Sequence, residues 1–142
     1  MSRKSDRRHA VCLVFSSDFH EDAQNSFDDD FEYYEQYFAK DVLECGFSER
    51  DYVLGVFSGV LNERSRLDEL ISKSADSWDI WRISKIDLAI MRVAVYEMLY
   101  MEEISNSVAI NEAVEIAKDF SDDASHKFVN GVLAKIGRTG VS

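Results

Sequence analysis

The chain has 142 residues, 46% hydrophobic and 30% charged, with a formal net charge of −11. That length suits one domain or two small subdomains sharing a core. The absence of Pro and the low Gly count of 6 disfavour an all-β chain, which needs many special turns, and the acidic total argues against a general nucleic-acid binder.

A first helix is predicted from about Asp6 to Phe19, with Ala10, Val11, Val14 and Phe15 as its apolar stripe. Arg3, Lys4, Arg7 and Arg8 gather at its N-terminal end. Cations there oppose the helix dipole by about 0.3–1 kcal/mol each when exposed, so fold stability does not explain them, whereas a polyanionic partner does. Residues 1–10 carry four basic and one acidic side chain, residues 11–51 two and twelve, and residues 127–142 three and none. Both ends are thus basic on an acidic body, which makes either a solubilising fringe or a local anion-binding patch.

Residues 20–30 read as an acidic loop. Asp28, Asp30 and Glu32 faintly suggest a calcium loop, but Tyr33 stands where that loop requires Gly. A second helix is predicted over 30–44, buried through Phe31, Tyr34, Phe38 and Val42, with Gly46 as its stop. Ser48 and Asp51 have capping-box-like spacing and open a helical stripe from Val53 through Val56, Phe57, Val60 and Leu67 to Ile71. Within it, Gly55 and Gly59 are read as permitting close helix crossing. Trp78 and Trp81 sit around a break over 72–83. They are read as packing residues, because Ile80 and Ile83 interleave with them, rather than as a base-stacking platform.

Ser84 and Asp87 repeat the capping spacing before a helix from Lys85 to about Met101. Apolar nearly all round, it reads as a buried central post. Arg92 and Glu97 inside it need partners, while Asp87, in the first turn, is expected at the surface. With Asp87, Arg92 and Glu97, the stretch is too charged to cross a bilayer, and shorter than the roughly 20 residues a span needs. After the turn at Ser105–Ser107, a helix buries Ile110, Ala113, Val114 and Ala117. A last helix over about 123–136 buries Phe128 or Val129, with Val132, Leu133 and Ile136. Gly131 in that helix costs about 1 kcal/mol relative to Ala and is read as accommodating a close neighbour.

No catalytic constellation emerges. Ser125 and His126 are adjacent on one helix, point about 100° apart and cannot form a nucleophile–base pair. His9, His20 and His126 lack metal spacing, and there is no phosphate loop or GxGxxG. Cys12 and Cys45 make no disulfide framework or zinc site, so reduced thiols in the cytoplasm are expected. No secretory h-region opens the chain. A binding protein with no metal, no cofactor and no membrane contact is the expectation.

Two helical segments, Val108-Ala-Ile-Asn-Glu-Ala-Val-Glu-Ile-Ala-Lys118 and Ser125-His-Lys-Phe-Val-Asn-Gly-Val-Leu-Ala-Lys135, closely resemble the C-terminal signature of the NusB family of transcription antitermination factors. Asp87-Leu-Ala-Ile-Met-Arg-Val-Ala-Val-Tyr-Glu97, with Trp78 and Arg82 before it, resembles that family's central helix. Arg3-Lys4, Arg7 and Ala10 through Phe15 resemble its arginine-rich first helix. The likeness is strong over about 78–136 and weak over 16–77. It implies an all-α fold of about six to seven helices in two small subdomains, 1–76 and 77–142. It also implies binding of boxA-type RNA of ribosomal RNA transcripts with the ribosomal protein NusE, in an RNA polymerase antitermination complex. By position, Arg3, Lys4, Arg7 and Arg8 fall in the basic cluster for RNA, Phe15 on an aromatic position, and Lys118, Lys127 and Phe128 near the RNA. Asp87 falls on the face for NusE.

Three departures stand out. Asp6 interrupts the basic cluster and is expected to weaken phosphate binding. Ser105-Asn-Ser107 replaces the usual Pro, and the turn before Ser125 is acidic instead of glycine-rich. Two other readings remain: a NusB-like protein–protein adaptor with little RNA binding, and a stand-alone relative of the RNA-binding domain of rRNA cytosine methyltransferases.

Overall fold

The computed structural model describes residues 3–19, 27–39, 46–76, 79–122 and 124–139. These residues form helices and turns with no strand among them, as the patterning predicts. The chain divides into two compact units, Met1–Asn62 and Glu63–Ser142. Of the loop expected over 20–30, residues 20–26 lie outside the described residues, as do Val42, Cys45 and Trp78, while 27–30 are helical and begin α2.

The first unit holds α1 (Arg3–Ser17), α2 (Phe27–Tyr33) and α3 (Arg50–Asn62). α1 packs on α3, burying Ala10, Val11, Leu13 and Val14 on one helix and Val53, Val56, Phe57 and Val60 on the other. α2 runs on into a π-helical turn, Tyr34–Phe38, where the Ala39 N–H reaches back to the Tyr34 carbonyl. Such a turn carries one extra residue per ring, which propensity does not foretell. It buries Tyr34, whose hydroxyl lies 2.8 Å from His9 Nδ1. Phe47 packs edge-on to His9 at 5.0 Å and against Phe31 at 5.4 Å. Burial pushes the Cys12 thiol above its ordinary pKa, partly offset by its hydrogen bond with Tyr34.

The start of α3 is secured from α1. The Ser48 and Glu49 N–H groups donate to Asp6 Oδ1 and Oδ2, each at 2.8 Å, and Asp6 is fully buried. A helix leaves its first N–H groups unpaired, and a carboxylate there also favours the dipole. The capping role expected of Ser48 therefore belongs to Asp6, 42 positions away in sequence.

The second unit holds α4 (Arg64–Ser74), a 3₁₀ turn (Ile80–Arg82), α5 (Lys85–Tyr100), α6 (Asn106–Phe120) and α7 (Ser125–Arg138). The stripe expected to run unbroken to Ile71 is interrupted, because Glu63 leaves helical geometry at φ −104° and ψ 15°. Val60, Leu67 and Ile71 keep helical spacing across the break, so periodicity alone conceals it. α4 packs on α5 and α7 and lies in the unit Glu63–Ser142.

α5 is the buried post of this unit. Leu88, Ala89, Ile90, Met91, Val93, Ala94 and Val95 are all buried, and α5 meets α4, α6 and α7. Its Arg92, 2% exposed, donates from Nε and Nη2 to the two oxygens of Asp68 on α4, at 2.7 and 2.9 Å. Caps hold the helix starts. Ser84 Oγ accepts from the Asp87 N–H, and Ser105 Oγ from the Val108 N–H. Asp122 accepts from the Ser125 N–H and hydroxyl at 3.1 and 3.0 Å. The serine turn and the acidic turn noted in the sequence are therefore working caps. No helix among the described residues is long and apolar enough to cross a membrane.

Candidate nucleic-acid and partner interface

In the first unit, the basic cluster divides by helix face. At 100° per residue, Lys4, Arg8, Cys12 and Phe15 fall within one 80° stripe of α1, Phe19 follows in the turn after it, and all five are exposed or half-buried. Phe15 meets Phe19 edge-to-face at 5.1 Å. The stripe carries cations toward one end and two aromatic rings about 16 Å along. This suits a strand held by its phosphates and stacked by its bases.

Two members of the cluster do other work. Arg7 points elsewhere and is only 5% exposed, so it belongs to the fold and does not present its charge at the surface. Arg3 pairs with Glu49 at 3.2 Å and lies 4.1 Å above the Tyr52 ring. Fold stability thus explains part of a cluster that composition assigned to an anionic partner. Asp6 is corrected likewise: buried under α3, it presents no carboxylate to a phosphate.

In the second unit, Lys127 and Phe128 sit on the first turns of α7, Lys127 exposed and Phe128 half-buried. Lys118, at the end of α6, is exposed and 3.5 Å from Glu115. Phe128 lines two grooves. One, of about 310 Å³, is also lined by Arg82, Ile83, Ser84, Asp87, Asp122 and Ser125. The other, of about 380 Å³, is lined by Ser74, Ala75, Asp76, Lys127, Gly131 and Lys135.

Asp87 departs from expectation. It is 5% exposed instead of lying at the surface, and its Oδ1 has no hydrogen-bond partner. A buried carboxylate oxygen left unpaired is costly, and this one lines an open groove. Trp81 departs the other way. Read as packing, it is 88% exposed, because the short 3₁₀ turn holds it off the helices. Interleaving with isoleucines could not distinguish a turn from a helix. Two glycines are also corrected: a Cβ at Gly55 or Gly131 would meet nothing within 4 Å, so neither accommodates a close neighbour. Sequence reasoning passed over Lys135 and Arg82. Their grooves form only when α4 and the 3₁₀ turn fold against α7.

No hydrolytic arrangement forms at Ser125, whose hydroxyl donates to Asp122. Among the described residues no group of three or more His, Cys, Asp or Glu could hold a metal ion.

Comparison with known proteins agrees with this architecture. The NusB family model matches residues 4–138. The transcription antitermination protein NusB of Clostridium botulinum (strain Alaska E43 / Type E3) is 42% identical over 140 residues, covering 96% of this chain and 98% of that protein. Its counterpart in Acetivibrio thermocellus is 37% identical over 137 residues, covering 96% and 88%. The fold is similar to T. maritima NusB, with a TM-score of 0.77 and 28% identity over 97% of this chain and 92% of that one. It is also similar to a chain in the crystal structure of the antitermination factors NusB and NusE in complex with dsRNA. There the TM-score is 0.76 and the identity 21%, over 96% of each chain. With a family match that runs from the first helix to the end of the last, this chain belongs to the NusB family.

Proposed function

We propose that this chain is a cytoplasmic transcription antitermination factor that acts by binding and not by catalysis. It holds boxA-type RNA of ribosomal RNA transcripts together with NusE, within the RNA polymerase antitermination complex. Arg3, Lys4, Arg8, Phe15, Lys118, Lys127 and Phe128 contribute to the RNA surfaces, and Arg7 supports the first of them from inside.

The observation that carries the reading is Asp87. A buried, unpaired carboxylate oxygen lining a groove is an acceptor awaiting a donor from outside the chain. A cationic or N–H group of NusE supplies it, a charge-assisted bond formed only on assembly. The test is calorimetric titration of NusE into wild type and Asp87→Asn. The variant should bind more weakly by about 2 kcal/mol or more, while the free chain melts no lower, since a stranded charge has been removed. Equal NusE affinity in the two proteins removes Asp87 from the interface.

A second reading, an adaptor with little RNA binding, is favoured by Arg7 and Arg3, whose charges are engaged in the fold. Tight NusE binding without measurable boxA binding by the pair would select it.

A further inference from the structure

We propose that the groove between the end of α4 and the face of α7 is a track for the RNA sugar–phosphate backbone, with Gly131 as its floor and Lys127 and Lys135 as its phosphate contacts. This rests on the RNA-binding reading above and extends it from Lys127 to Gly131, Lys135 and the end of α4, which that reading does not use.

Gly131 poses the question. It stands in the middle of a 14-residue helix, exposed, where Gly is among the poorest helix formers. Packing does not require it, since a Cβ would meet nothing within 4 Å. Nor does a turn, since the helix runs on to Arg138. The remaining physical reason for a glycine is close approach by something outside the chain. Its surroundings say what. Lys127 and Lys135 lie four residues before and four after it, so all three share one face. Both lysines line the same groove of about 380 Å³. Along the axis the two ammonium-bearing residues are about 12 Å apart, far enough to meet different phosphates. No acidic residue occurs from 127 to 142, so this face of α7 is cationic in an otherwise acidic protein.

The opposite wall is formed by Ser74, Ala75 and Asp76 at the end of α4. The last carbonyl groups of a helix lack intrahelical donors. They and the Ser74 hydroxyl are acceptors suited to ribose 2′-hydroxyl groups, which distinguishes RNA from DNA. Asp76 opposes the phosphates. It is held at φ 57° and pairs with Lys135 at 3.5 Å, with Asp76 largely and Lys135 about half in water. An exposed pair of this kind is weak, so Lys135 is free to exchange Asp76 for a phosphate. Gly55 provides the contrast: equally open in α3, it has Asp51 and Gly59 at the flanking positions, with no cation on either side.

The experiment measures binding of this protein with NusE to boxA RNA, alongside thermal melts. Gly131→Leu should weaken RNA binding about tenfold while Tm stays level or rises, because Leu is a far better helix former and has open space. Lys135→Gln should make the salt dependence of log K shallower by about 0.7. Asp76→Asn, which tolerates the same backbone, should tighten binding. Gly55→Ala should raise Tm and leave RNA affinity unchanged. Wild-type affinity and salt slope in Gly131→Leu and Lys135→Gln would overturn the track while leaving RNA binding intact. Failure of wild type itself to bind boxA RNA would overturn the RNA-binding reading, and the track with it.

Discussion

Asp6 illustrates how one side chain changes meaning between sequence and structure. Amid Arg3, Lys4, Arg7 and Arg8 it looks like a misplaced negative charge, yet its two oxygens hold the Ser48 and Glu49 N–H groups at 2.8 Å each. Replacing it with Ala should lower stability by about 2 kcal/mol or more, since two charge-assisted bonds to the start of α3 are lost. Chemical denaturation checks this; tighter RNA binding at unchanged stability would contradict it. The same distinction separates two of the cations. Lys4→Gln should leave the midpoint of thermal unfolding unchanged and make the RNA salt slope shallower by about 0.7. Arg7→Gln should lower that midpoint, because its side chain is buried. These roles are illegible in composition. Sequence shows which charges are near one another along the chain, whereas burial depends on a helix more than 40 residues away.

At the scale of elements, the second unit was the more readable. The apolar circumference of α5 and the serine cap at its start follow directly from local spacing, and the described helix matches them; α6 is turned slightly from expectation, burying Ala109, Ala113, Ile116 and Ala117 and leaving Ile110 and Val114 half-buried. Arg92 needed a partner by general argument, but nothing local pointed to Asp68. Removing that partner by Asp68→Ala should cost about 3–5 kcal/mol, because a buried guanidinium loses its paired carboxylate. The pair Asp68→Leu with Arg92→Met should recover most of the loss. Urea denaturation of Asp68→Ala, of the single variants Asp68→Leu and Arg92→Met and of the double variant checks this, and additive effects of the two singles would contradict the pairing. The first unit was less readable for identifiable reasons. The π-helical turn has no propensity signature. The break at Glu63 is masked by apolar residues that keep their period, and Trp81 sits in a turn of three residues, too short for periodicity to show which way it points.

Across the whole molecule, net charge and local charge act in opposite directions. A chain of net charge −11 repels nucleic acid at long range, and salt screens that repulsion within about 10 Å at 0.1 M. Under the proposed function, its cationic surfaces on α1 and on α7 would act over short distances on RNA already delivered. Binding by this chain alone is then expected to be weak, with a basic partner at Asp87 offsetting the repulsion and adding contacts of its own. Linkage then requires RNA to raise NusE affinity by the same factor by which NusE raises RNA affinity. The full thermodynamic cycle at fixed salt, with boxA RNA and NusE titrated separately and together, tests this most directly. The account predicts RNA affinity at least about tenfold higher for the pair than for this chain alone, with the two legs of the cycle agreeing. Equal RNA affinity with and without NusE, or no boxA binding by the pair, would contradict it.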